Sequence, residues 1–170
     1  MVPEQVSERS AKLAALAALL LVFGWQAAQV YRIFGGNWTG LFYHDGTPTL
    51  APGFEGTHLQ PAGGDYDGQY YRYLVRDPIP PFAYRQWMDS PAQRGSRVLV
   101  PGLAWALSMG GRLAPDAVYI GLIGVFAALG VYCSGRWFER RGVSGWAGLS
   151  FMALPATVSS VDRMLVDVAL

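Results

Sequence analysis

Long uncharged apolar runs flank one polar, aromatic stretch, and the lengths of those runs decide the class of the chain. Residues 13–31 carry no charge. At ~1.5 Å per residue such a run crosses roughly 30 Å of hydrocarbon, which predicts a first transmembrane helix over 13–33. Arg9 and Lys12 precede it and favour a cytoplasmic tail over 1–12, while Trp25, Tyr31 and Phe34 suit the interfacial belt at the far end. A cleaved signal peptide is the competing reading. Against it, the run exceeds the usual apolar core of such a peptide, and Trp25 and Gln26 stand where small residues should lead to cleavage.

A second run over 117–135 ends in Arg136, Arg140 and Arg141, so its exit is expected on the cytoplasmic side, with a turn over 136–141. The third run, 142–161, is again uncharged and returns outward to Asp162, with Pro155 as a candidate kink. Residues 98–111 are uncharged between Arg97 and Arg112 but short for a span. Counting them as a crossing would put the arginine-rich turn outside, so an interfacial helix is expected there. The predicted architecture is therefore all-α and polytopic. It has three transmembrane helices and an extracytoplasmic loop over 34–116 with juxtamembrane helices at 67–76 and 98–111. A second outer loop begins at 162–170. Val168, Ala169 and Leu170 stop inside an apolar pattern, so an N-terminal fragment of a longer chain is expected.

Composition agrees with that class: 52% of residues are hydrophobic and 15% charged. The net charge of +1, with basic residues scattered singly or in pairs, argues against nucleic acid as a partner. A single cysteine, Cys133, excludes an intrachain disulfide or a thiolate metal set.

The loop holds the candidate chemistry. Residues 35–40 and 44–48 are rich in Gly, Asn, Asp, Thr and Pro, which are turn signals. Asn37-Trp38-Thr39 matches a glycosylation acceptor, but a turn-forming Asn explains it more simply. His44 and His58 lack neighbours at metal-ligand spacing and are expected to be structural, so no metal site is assigned. In residues 63–78 a turn gives way to a helix over Gln69 to Val75, closed by Asp77-Pro78. Asp65 or Asp67 can cap that helix. Capping needs one carboxylate, however, and the segment offers two beside four tyrosines and two arginines near a low-dielectric boundary. That environment suits a general base, or a divalent cation. Arg94 and Arg97 can bind phosphate bidentately or anchor to lipid headgroups. Asp162 and Asp167 interrupt apolar sequence at the end of the third run, and charges there usually face a cavity or a partner. About 140° separates them around a helix, so they share one site only if the chain unwinds.

As an ordered set, these motifs resemble the GT-C superfamily of integral membrane glycosyltransferases. The likeness rests on the first span, the loop motif Tyr66-Asp67-Gly68-Gln69-x-Tyr71, and the downstream Asp77-Pro78. The proline-bearing helix start at 97–103 and Asp162-Arg163-Met164 at the return to the outer face complete it. The resemblance implies a polyprenyl-phosphate sugar donor and attack of an acceptor hydroxyl on the anomeric carbon, usually with inversion. It implies Asp67 as base or acceptor-positioning group, Asp65 as its runner-up, and Asp162 as the acid of the second outer loop. Gln69, Tyr71, Arg94, Arg97 and Asp167 become expected substrate contacts. The implied location is a bacterial inner membrane with the main loop extracytoplasmic. The implied partners are the donor, membrane lipid and the rest of the parent chain. Some relatives need a divalent metal and others do not, so no cofactor is assigned. The chain departs from such enzymes in being far shorter and in lacking the later spans that line the donor groove. Two other classes compete: a membrane anchor or assembly module with an aromatic binding loop, and a transporter fragment with Asp162 and Asp167 on an ion path.

Overall fold

The computed structural model describes residues 4–46, 50–61 and 66–167. They are mostly helical, and α1 (Glu4–Arg32) is the longest element. Ala11, Ala14, Ala18, Val22, Gln26 and Val30 recur at three- or four-residue spacing along α1 and are all enclosed. This is one face of a 3.6-residue helix. Leu13, Leu16, Leu20 and Leu21 lie off that stripe and are 43–66% exposed. The second long helix, α5 (Pro115–Glu139), is built the same way, with Ile123, Ala127 and Val131 inside and Val125, Leu129 and Trp137 outside. Arg9–Arg32 and Pro115–Glu139 are long and apolar enough to cross a membrane.

Small residues let these helices approach. A Cβ on Gly135 of α5 would lie 3.1 Å from Ala11 Cβ of α1, closer than side chains normally pack. At this end Glu139 accepts hydrogen bonds from Ser10 Oγ (2.7 Å) and Ala11 N (3.0 Å), and Ser10 Oγ in turn accepts from Gly145 N at 3.1 Å. At the other end of α1, Gln26 Nε2 donates to the Val161 carbonyl at 3.4 Å and Trp25 Nε1 to Asp162 at 3.1 Å. The chain over 145–162 therefore runs beside α1 from one end to the other, antiparallel to α5.

That third stretch departs from the continuous helix expected over 142–161. It forms a 3-10 helix over Gly145–Ala153 and then a short α6 (Pro155–Arg163), with Leu154 extended between them. Pro155 supplies the reason for the break, because the residue before proline avoids the helical region. The tighter first half lies against α5 at backbone distance: a Cβ on Gly148 would overlap the Val131 carbonyl and lie 2.6 Å from Gly135 N.

The chain between α1 and α5 folds over the end where Asp162 emerges. A 3-10 turn, Trp38–Phe42, leads into β1 (His44–Asp45), which pairs in parallel with β2 (Leu59–Gln60). Asn37 caps that turn by accepting from Thr39 N and donates to the Gly56 carbonyl at 2.9 Å, which is the turn role its context predicts. Then come α2 (Gly68–Arg76), a 3-10 turn over Arg85–Trp87, α3 (Pro91–Gly95) and α4 (Leu99–Leu107). Fourteen uncharged residues thus yield nine helical ones, because Met109, Gly110 and Gly111 take positive φ and turn the chain back towards α5. Val100, Pro101 and Ala104 of α4 are buried, while Leu99, Leu103 and Leu107 stay exposed. Beneath lies an aromatic core, with Phe54 edge-on to Tyr73 at 4.8 Å and to Tyr84 at 5.4 Å. His44 meets Tyr73 at 5.5 Å and His58 meets Phe34 at 5.1 Å, so both imidazoles are packed as rings.

Candidate functional site

The start of α2 and the end of α6 meet. A Cβ on Gly68 would overlap the carbonyl of Arg163 and lie 3.1 Å from that of Phe42, so no residue with a side chain fits at this crossing without displacing backbone. Asp67 precedes Gly68 and Asp162 precedes Arg163, so the two acids expected to share a site stand at one crossing. Arg163 joins the elements further. Its guanidinium lies 3.9 Å from the Tyr66 ring and 4.8 Å from the Tyr43 ring, and its Nε donates to Asp162 at 3.3 Å. Burial, then the Asp162 carboxylate, push the Tyr43 phenol up in pKa.

Asp67 does not cap α2 with its side chain. It occupies the cap position with helical dihedrals and makes no side-chain cap bond. Instead its Oδ2 accepts a very short bond from Arg94 Nη1, and Oδ1 has no partner among the described residues. Arg94 also grips Asp89 through Nε (3.1 Å) and Nη2 (2.9 Å), and its guanidinium stacks on Tyr70 at 4.9 Å. Asp89 first and Asp67 second raise the Arg94 pKa, and Arg94 in turn lowers that of Asp89. Asp65, the alternative to Asp67, lies outside the described residues.

Arg97 lies next to this pair. Its Nη1 donates to Asp167 at 3.2 Å. Tyr71 is the main influence raising the Arg97 pKa, followed by Asp167 and Asp67. The Tyr71 oxygen is enclosed and makes no hydrogen bond of normal geometry, so its effect on Arg97 is one of proximity. The helix ends at Arg163, and Met164 takes left-handed dihedrals held by a 2.8 Å bond from Tyr119 Oη to its carbonyl. That unwinding brings Asp167 to Arg97 while Asp162 stays with Trp25 and Gln29 on α1.

Arg94 and Arg97, read as phosphate ligands, are both engaged by carboxylates; of the two, Arg97 is the more exposed, at 38%. Gln69 and Tyr71, read as substrate contacts, are 4% and 0% exposed, because they lie on the face of α2 that packs inward. Asp162 accepts from Arg163 at 3.3 Å, from Trp25 at 3.1 Å and, through a very short bond, from Gln29. Among the described residues no cluster of three or more His, Cys, Asp or Glu could hold a metal ion.

Sequence reasoning missed two acids. Asp89 is one. The other is Asp116, which closes on Arg72 (2.8 Å) and Arg76 (2.9 Å) together. Arg72 and Arg76 stand four apart on α2, a spacing that puts both on one helix face and was the available signal. An apolar groove of about 640 Å3 also leads along α1 and α6, past Leu20, Leu21 and Val158, to Trp25, Arg32 and Asp162. Comparisons with protein-family models, with curated proteins and with solved structures gave no match, so the chemistry of the site rests on its own residues.

Proposed function

We propose that this chain carries the reaction site of a membrane glycosyltransferase that moves a sugar from a polyprenyl-phosphate donor to an acceptor hydroxyl outside the cytoplasm. The observation that carries the reading is the crossing of Gly68 with Arg163, which brings Asp67 and Asp162 to the same end of the helical bundle. In this reading α1, α5 and the 145–163 stretch all cross the membrane, and the broken third segment tolerates its 3-10 half because α1 and α5 cover it. Their exposed leucine and valine faces suit hydrocarbon better than water. The arginine-rich turn after α5 supports a cytoplasmic position for the opposite end, and with it the inner membrane of a bacterium.

The chemistry follows from the geometry. Arg94 fixes Asp67 through one oxygen and leaves the other to take the proton of the acceptor hydroxyl. The hydroxyl oxygen bonds to the anomeric carbon as the bond from that carbon to the phosphate oxygen breaks, and the electron pair leaves with the lipid phosphate. Arg97, paired with Asp167 at 3.2 Å and the more exposed of the two arginines, is the cation best able to turn towards the phosphate. The groove that ends at Asp162 suits the prenyl chain.

The competing classes find less support. Tyr71, Tyr73 and Phe54 are buried in the core and offer no partner surface. Asp162 and Asp167, the acids of the transporter reading, lie at and beyond the end of α6, paired with Arg163, Trp25 and Gln29 and with Arg97, and not midway along a helix, as an ion path would need. The test is sugar transfer from radiolabelled polyprenyl-phosphate sugars by membranes containing the protein. Transfer that persists in Asp67→Asn at the wild-type rate removes Asp67 from the mechanism.

A further inference from the structure

A second cleft opens on the other side of α2, away from Asp67. It has a volume of about 530 Å3 and runs between α1, the 38–42 turn and the start of α5. Its floor is apolar, made by Phe23, Ala117 and Ile120, and its mouth carries Trp38, Arg76 and Asp116. The charges at that mouth do not balance. Asp116 spends Oδ2 on Arg72 and Oδ1 on Arg76, so one carboxylate faces two guanidinium groups. His44, an ionisable neighbour, stays neutral: burial first, then Arg72, lower its pKa to about 3. Gly111 lies against the Arg76 backbone, where a Cβ on it would stand 3.5 Å away, and the exposed Arg112 follows it in the chain. The remaining donors of Arg76 have no partner among the described residues. An anion at this mouth would restore neutrality, and the floor beneath it would take a hydrocarbon chain.

We propose that this cleft binds one anionic glycerophospholipid, with its phosphate on Arg76 and an acyl chain laid against Phe23 and Ile120. The inference rests on the membrane reading above but not on sugar transfer. A donor lipid is the wrong occupant. Arg76 lies nine residues beyond Asp67, about 13 Å along α2 at 1.5 Å per residue, too far for a sugar attached to a phosphate at Arg76 to meet Asp67. A glycerophospholipid needs no such reach. Its site would instead lock α2 to the last turns of α1 and the first turns of α5, by bridging Arg76 to Phe23 and Ile120.

The test uses the intact protein, purified in detergent and titrated with phosphatidylglycerol or phosphatidylcholine while bound lipid is counted by native mass spectrometry. The expected result is one phosphatidylglycerol retained in preference to phosphatidylcholine. Its retention should fall about tenfold in Arg76→Gln, the loss of one charge-assisted contact. Ala117→Phe, which fills the exposed floor without disturbing the core, should weaken binding similarly and serves if Arg76→Gln does not fold. Arg140→Gln, at the far end of α5, should leave binding unchanged, and so should Asp67→Asn even if it abolishes transfer. Equal retention of both lipids overturns the proposal, as does undiminished binding in both cleft variants. Displacement by glycerol phosphate as effective as by the whole lipid overturns the acyl-chain part. Displacement by polyprenyl phosphate at lower concentration reassigns the cleft to the donor and overturns the proposal as well.

Discussion

Gly68 rests directly on the carbonyl of Arg163, in a space that a single methyl group would overfill. The crossing ties the loop helix to the end of the third segment, and through it the two acids on which the functional reading turns. It also makes a direct prediction. On an exposed helix, Gly→Ala gains about 1 kcal/mol of helix propensity. Here the new Cβ meets two backbone carbonyls, those of Arg163 and Phe42, which move only with their elements. Overpacking typically costs about 1–3 kcal/mol. Gly68→Ala should therefore lower the thermal midpoint of the detergent-solubilised protein. A raised midpoint would mean that the two elements do not press together.

His44 yields a pH prediction with a definite sign. Its pKa is lowered in the fold to about 3, first by burial and then by Arg72, whereas an unfolded histidine titrates near 6.5. The unfolded chain thus binds more protons than the folded one between those two values. Stability contributed by the neutral ring is complete above pH 6.5 and is lost as pH falls through that window. Between pH 7.5 and pH 5 the loss is at most about 2 kcal/mol. His44→Phe keeps a ring against Tyr73 and removes the titration, so its unfolding curves should diverge less between the two pH values. If wild type and variant lose the same stability, His44 is not the titrating group.

The Arg72–Asp116–Arg76 cluster separates burial from pairing. Arg72 is 4% exposed and relies on Asp116, which it touches through Nε and Nη2. Burial lowers the Arg72 pKa, and the Asp116 carboxylate opposes that. Asp116→Asn strands a buried guanidinium and is expected to cost about 3–5 kcal/mol. Adding Arg72→Met removes the stranded charge and should recover much of that loss, as chemical unfolding of the single and double variants would reveal. A double variant less stable than Asp116→Asn alone would show that Arg72 is held by more than its charge partner.

Much of this fold was legible in the chain. The mostly helical character and the two long apolar helices follow from run length and charge boundaries, which are local properties. The helix over Gly68–Arg76 follows from turn residues before it and Asp77-Pro78 after it. The 3-10 half of the third segment was not legible. It depends on Gly148 lying against the Val131 carbonyl, a contact between distant residues. The candidate site divides the same way. Asp67 and Asp162 could be singled out because charges near apolar boundaries are costly. Their partners could not be, since Arg94, Asp89, Gln29 and Trp25 reach them only through the packing of separate elements. Tyr71 misled for a related reason: a tyrosine beside a candidate acid reads as a substrate contact until the buried face of its helix is known.

A double-mutant comparison of Asp67 and Asp162 tests the central claim most directly. Sugar transfer from radiolabelled polyprenyl-phosphate donors is measured in membranes containing wild type, Asp67→Asn, Asp162→Asn and the double variant, each checked for membrane insertion. If both acids act on one substrate, either single change should cost about 100-fold or more, and the double should cost little beyond the worse single, because groups that act as a unit lose their effect together. Losses that multiply in the double variant, or transfer that survives either single change, would contradict a shared site.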